Sequence, residues 1–214
     1  MNVLLFGPPG SGKGTQAADL ASRLGIPHVA TGDIFRKHLR EGTDLGRLAR
    51  SFMDRGALVP DLVTCDLVGS RLDEADAAAG VLFDGFPRSV PQLYWLVGFL
   101  TSRHRALDAV VNLTVPDGVI LERITGRRTC TNCGATFHLV AAPPNADGTC
   151  TRCGSPTVQR KDDTEAVVRD RLAAYAAQTH PCLAELRDRT PIHDIDAVGS
   201  IDDVRQRIRH ALGR

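Results

Sequence analysis

The chain has 214 residues, 43% of them hydrophobic, and sets 26 Lys and Arg against 25 Asp and Glu for a formal charge of +1. That apolar content suits one main domain with small insertions and excludes a disordered chain. The near-neutral balance excludes a surface-wide field for nucleic acid or an anionic membrane, so any anion binding has to be local.

The first predicted strand, Val3–Phe6, is too short for a signal-peptide core and has no basic residue before it. No stretch approaches the roughly 18 apolar residues of a membrane span. A soluble, cytoplasmic protein with no membrane or nucleic-acid partner is the expectation. Gly7-Pro8-Pro9-Gly10-Ser11-Gly12-Lys13-Gly14-Thr15 follows the strand directly and opens a predicted helix over Lys13–Leu24. This is the context of a phosphate-binding P-loop: small residues let backbone N–H groups converge on phosphate oxygens, the helix start adds its dipole, and Lys13 adds a point charge. The usual motif places Ser or Thr straight after the lysine. Here Gly14 intervenes before Thr15, so a metal carried by the phosphates has to be held in another way.

Further along, apolar runs at Pro27–Ala30, Val81–Phe83, Ala109–Val115 and Ile192–Ile195 alternate with helical segments at Ser89–Thr101, Pro116–Thr125, Thr164–Arg187 and Ser200–Leu212. Runs that are apolar throughout, rather than alternating, predict strands of a parallel sheet covered on both faces. The fold class is therefore α/β, a P-loop doubly wound parallel five-stranded sheet. Two stretches break the alternation and predict small inserted domains: a polar, helix-like one over 31–59, and a Gly-, Pro-, Thr- and Cys-rich one over 127–161. They leave a core of 1–30, 60–126 and 162–214. Gly126, just before the second insertion, is a hinge or a helix terminator.

Within that second insertion, Cys130-x-x-Cys133 and Cys150-x-x-Cys153 are separated by 16 residues. Such spacing predicts a structural Zn2+ site with four thiolates and no open position, in a segment too small to build a core of its own. A disulfide pair or iron in place of zinc is the lesser alternative. So is a zinc-ribbon module that binds nucleic acid or protein, against which the segment lacks basic residues interleaved with aromatics. Cys65 and Cys182 stand alone in predicted helices and are expected to be buried, inert thiols.

Lys13-Gly14-Thr15, Thr31-Gly32-Asp33 and Asp84-Gly85-Phe86-Pro87-Arg88, followed by Gly126-Arg127-Arg128, Arg160-Lys161-Asp162-Asp163 and Arg171, resemble the nucleoside monophosphate kinase family. More specifically they resemble bacterial adenylate kinases with a long, zinc-binding lid, and the likeness runs the length of the chain. The resemblance implies Mg2+-dependent phosphoryl transfer between ATP and AMP, with ADP as product, by a monomer. It implies that Gly10, Ser11, Gly12, Lys13, Gly14 and Thr15, with Arg123 and Arg127, hold the ATP phosphates. Thr136, Phe137 and the backbone at Val198 and Gly199 would flank the donor base. Arg36 and Arg88 would grip the AMP phosphate, and Arg160 and Arg171 would reach AMP as well as the ATP phosphates and the moving group. Thr31, Ala57, Leu58, Val59, Gly85 and Gln92 would form the adenine pocket, with Gly56 and Met53 nearby. Asp84 would hold Mg2+ through water, with Asp33 as the weaker candidate. A UMP or CMP acceptor and a GTP donor are the alternatives within the same fold.

Overall fold

In the computed structural model, which describes residues 1–213, the first apolar run becomes β1 (Asn2–Phe6) and is buried along its whole length. Its side chains divide by the two-residue period of a strand: Leu4 and Phe6 enter one core cluster, Val3 and Leu5 another. A strand covered on both faces has to be apolar throughout, which is the reason the run does not alternate.

The chain continues through α1 (Lys13–Leu24), β2 (His28–Ala30), α2 (Thr31–Arg40), α3 (Asp44–Met53), α4 (Asp61–Leu72), β3 (Val81–Asp84), α5 (Val90–Thr101), β4 (Ala109–Thr114) and α6 (Asp117–Thr125). After these come β5 (Arg127–Cys130), β6 (Thr136–His138), β7 (Thr157–Val158), α7 (Glu165–Ala174), α8 (Pro181–Leu186), β8 (Ile192–Asp196) and α9 (Ile201–Ala211). Five strands form one sheet in the order β2-β3-β1-β4-β8, every pair parallel, with Leu4 opposite Phe83 on one side and Val110 on the other.

Helices α4, α5 and α8 cover one face with Val68, Leu96 and Leu186, and α1 and α9 cover the other with Ala17, Leu20, Val204 and Ile208. Each Val, Leu or Ile among them, when fully buried, stabilises by about 1.5–3 kcal/mol. Trp95 stacks on Phe99 at 5.0 Å and meets Phe86 edge-on at 6.0 Å, fixing the Asp84–Arg88 segment to the core. The lone cysteines of α4 and α8, Cys65 and Cys182, lie in this core, where burial raises both thiols to about 11.

Two parts stand off the sheet. Helices α2 and α3 enclose a small cluster of Phe35, Ala49 and Val59. Strands β6, β5 and β7 form an antiparallel sheet whose core is only Cys130, Ala135, Phe137 and Cys150. The segment expected to be one helix over Thr164–Arg187 is broken. A π-helical turn, Tyr175–Thr179, separates α7 from α8, and the His180 N–H reaches back five residues to Tyr175 O at 2.8 Å. Pro181 explains the break, since its ring clashes with the carbonyl four residues earlier and it has no N–H to give.

Candidate active site

Strand order reverses at β1, which has β3 on one side and β4 on the other. The crevice outside the carboxyl ends of the strands at such a point is where ligands bind in open α/β sheets. A cleft of about 1090 Å³ opens there, lined by the loop after β1, the segment after β3, the start of α2 and the turn after β8. Gly10 has φ +78, and a Cβ there would come within 2.7 Å of Ile124, so the loop can lie against α6 only with glycine at this position. Lys13 turns back over the loop, its Nζ donating to Gly7 O at 2.7 Å and Pro8 O at 2.9 Å.

Burial pushes the Lys13 ammonium down from 10.5 to about 8, with Asp84 opposing and the nearby arginines adding to the shift. Folded, Lys13 releases its proton near pH 8; unfolded, it keeps the proton to about pH 10.5. Between those values the unfolded chain binds more protons, so the unfolding free energy has to rise with pH, by up to about 3 kcal/mol from this group. Denaturant unfolding of the nucleotide-free protein between about pH 7 and pH 10 should show that gain, and Lys13→Met should remove it. Equal pH slopes in the two proteins would mean that the ammonium is not desolvated.

Among the described residues, eight cationic side chains and only three carboxylates, Asp33, Asp84 and Asp162, line the cleft. Seven of the eight are arginines, and six of these, all but Arg152, are aimed by a local partner. Arg88 Nε donates to Gly85 O at 2.7 Å, Arg36 to Asp33 at 2.6 Å, Arg123 to Ala197 O at 2.9 Å, and Arg160 Nε to Thr129 Oγ1 at 2.9 Å. Arg127 forks onto Asp163, which is fully buried, and Arg171 donates to Asp162 Oδ2 at 2.9 Å. Burial would raise the Asp162 carboxyl, but Arg171, Arg127 and Arg160 together hold it below the usual carboxylate range. Burial, then Arg171, lowers Arg88 to about 10; burial, then Arg36 and Arg127, lowers Arg160 to about 9. Like charges crowded out of water in this way are prepared for polyanionic ligands.

The residues expected at the acceptor, Thr31, Met53, Gly56, Ala57, Leu58, Val59, Gly85 and Gln92, line the cleft with Arg36 and Arg88. Gly85 has φ +72, and a Cβ there would stand 2.7 Å from Arg88 Nη2; its carbonyl accepts Thr31 Oγ1 at 2.7 Å. Those expected at the donor, Thr136, Phe137 and Gly199, line it with Arg123 and Arg127. Val198, expected beside Gly199, is exposed and does not line the cleft. Asp84 Oδ2 lies 3.8 Å from where a Cβ on Gly14 would stand and 3.3 Å from His28 Nε2. The carboxylate thus sits beside the position where the usual P-loop hydroxyl would be.

Away from the strand ends, the four lid cysteines bring their sulfurs within 4.8 Å of one another, with Cys130 to Cys153 at 3.5 Å and Cys133 to Cys150 at 3.6 Å. A tetrahedron with Zn–S bonds of about 2.3 Å has sulfur edges of about 3.8 Å, so the donor set fits zinc. Both knuckles repeat the same turn: Cys130 N–H to Ala135 O and Cys150 N–H to Ser155 O, each at 2.8 Å. Gly126, between α6 and β5, is the C-cap of α6 with φ −77, and its N–H bonds to Glu122 O at 3.0 Å.

The profile of the adenylate kinase family matches residues 5–190. The chain belongs to the adenylate kinase family. The adenylate kinase of Clostridium botulinum (strain Eklund 17B / Type B) is 48% identical over 213 residues, covering 100% of this chain and 99% of that protein. That of Clostridium perfringens (strain SM101 / Type A) is 47% identical with the same coverage, and that of Thermoanaerobacter sp. (strain X514) is 46% identical over 100% of this chain and 98% of its own. A phosphotransferase of the nucleoside monophosphate kinase kind follows, and none of these matches favours the pyrimidine, GTP or zinc-ribbon alternatives.

Every nucleotide-site residue that the adenylate kinase motifs singled out, Val198 aside, lines the one cleft, and the four cysteines gather in the small antiparallel sheet, where Cys133 alone reaches the cleft lining. His28, which meets Asp84, and Arg152, which lines the cleft, are not legible in the motifs, nor is the aiming role of Asp162 and Asp163. Only the Asp162-Asp163 pair carries a signal, in following Arg160 closely. Among the described residues no helix is long and apolar enough to cross a membrane.

Proposed function

We propose that the chain catalyses the reversible, Mg-dependent transfer of the terminal phosphoryl group of ATP to AMP, giving two ADP. The observation that carries this reading is the convergence of Lys13, Arg36, Arg88, Arg123, Arg127, Arg160 and Arg171 on one cleft beside a phosphate-cradling loop. The reaction requires two anionic nucleotides held in line while charge spreads over the transferred group, so positioning and positive charge suffice and no covalent nucleophile is needed.

In this reading residues 10–15, with Arg123 and Arg127, hold the ATP phosphates, and Thr136, Phe137 and Gly199 flank the donor base. Arg36 and Arg88 hold the AMP phosphate, while Thr31, Ala57, Leu58, Val59, Gly85 and Gln92 surround its base. Arg160 and Arg171 stabilise the group in transit. A guanidinium fork can take phosphate oxygens two at a time, which suits it to a trigonal group carrying spread charge. Magnesium bound with ATP would neutralise phosphate charge, and Asp84 is the residue that would hold it, through water. Cys130, Cys133, Cys150 and Cys153 would hold zinc, which would supply the lid with a core. The insertion at 31–59 and the lid at 127–161 close over the core of 1–30, 60–126 and 162–214, excluding water as the competing acceptor. The enzyme works as a cytoplasmic monomer.

A panel of monophosphates, each assayed with Mg-ATP and Mg-GTP for diphosphate formation, tests the reading. AMP with ATP should give ADP, with kcat/KM for UMP and CMP lower by at least about 10². Absence of ADP formation with either donor would overturn it, and a preference for UMP would reassign the acceptor.

A further inference from the structure

The side chain of Gln92, in a residue only 1% exposed, has both ends of its amide committed. Its Nε2 donates to Asp61 Oδ1 at 2.7 Å, and its Oε1 accepts the Arg88 backbone N–H at 2.7 Å. Neither anchor is loose. Ser89 Oγ also donates to Asp61 Oδ1, at 3.0 Å, and the Arg88 carbonyl accepts the Thr179 hydroxyl at 2.8 Å. A carboxylate only accepts and a backbone N–H only donates, so the two anchors admit one orientation of the amide. Turned over, it would set donor against donor at Arg88 and acceptor against acceptor at Asp61.

We infer that Asp61, which does not itself line the cleft, is a specificity-determining positioning residue: by fixing the amide of Gln92 it makes the acceptor site take a 6-aminopurine monophosphate and refuse a 6-oxopurine one. The inference rests on the acceptor pocket proposed above. Held in this way, Gln92 keeps one N–H and one carbonyl lone pair for a ligand. Adenine offers ring N1 as acceptor beside its amino donor, which complements them. Hypoxanthine offers N1–H as donor beside O6 as acceptor, which complements only the turned amide. Mismatch of buried polar groups, unlike loss of a methylene, discriminates strongly.

The test measures kcat and KM for AMP and IMP, with Mg-ATP, in wild type, Asp61→Asn, Asp61→Ser and Asp61→Glu, with a thermal melt of each. In the two neutral variants the AMP-to-IMP ratio of kcat/KM should fall by about tenfold or more, carried by KM, with kcat for AMP changed by less than about twofold. Asp61→Glu, still an acceptor-only group, should keep most of the preference. If Asn disturbs the first turn of α4, Ser carries the measurement. An unchanged ratio in the folded neutral variants, or a parallel rise in KM for both nucleotides, would overturn the inference while leaving the acceptor pocket intact. A wild-type enzyme without preference for AMP over IMP would instead overturn the pocket reading, and the role of Asp61 with it.

Discussion

Lys13→Met should lower kcat by roughly 10²–10³ or more, because removing one preorganised group that meets developing charge has about that effect, and here a full charge is lost. The methionine keeps the length and burial of the side chain and gives up only the ammonium. Folding should not suffer. Burial lowers the titration of the ammonium, so an apolar replacement removes an unfavourable burial, and the Gly7 and Pro8 carbonyls it bridged border an open cleft where water can reach them. Steady-state kinetics beside a thermal melt separates the effects: a collapsed rate with a melting point within a few degrees of wild type is expected, about 2–4 °C corresponding to 1 kcal/mol in a chain of this size. Turnover retained within tenfold would remove the lysine from the phosphate site.

Replacing Cys130 and Cys133 together by serine should have the largest effect on stability. The small sheet of β5, β6 and β7 has four buried residues in its cluster, two of them cysteines, so little but the metal can hold it. Zinc bound to four thiolates contributes on the order of 10 kcal/mol to folds of this kind. The variant should bind almost no zinc by elemental analysis, and protease should cut within 131–158 while the parallel-sheet core survives. Activity should fall as a consequence, since β5 carries Arg127 three residues before Cys130 and Phe137 belongs to the same cluster. Zinc content equal to wild type, or a protease-resistant lid after chelation, would sink the assignment.

What the sequence discloses about this fold is local or short in range. The five apolar runs become five parallel strands within a residue or two, and the P-loop lies where a strand–glycine–helix order puts it, because each depends on neighbours along the chain. The cysteine pairs were legible for the same reason. What escaped depends on long-range pairing: Asp61 meets Gln92 across 31 positions, His28 meets Asp84 across 56, and Asp163 aims Arg127 across 36. Nothing in the spacing of a lone aspartate or histidine announces such a partner. The broken helix before β8 is a different case. Pro181 was there to be read, but a regular helical composition on both sides of it concealed the wider turn that it imposes.

The charge lining the cleft has an effect that reaches beyond contact. With eight cations and three carboxylates gathered there, the rest of the chain carries an excess of four negative charges in a molecule whose total is +1. Small polyanions approaching from bulk solvent therefore meet mild repulsion over most of the exterior and a pull at one mouth, so diffusion itself is biased toward productive encounters. Such guidance weakens once dissolved ions shorten the reach of the field to about 10 Å or less, which makes capture rate, more than the rate of the bound chemistry, the quantity that added salt should slow.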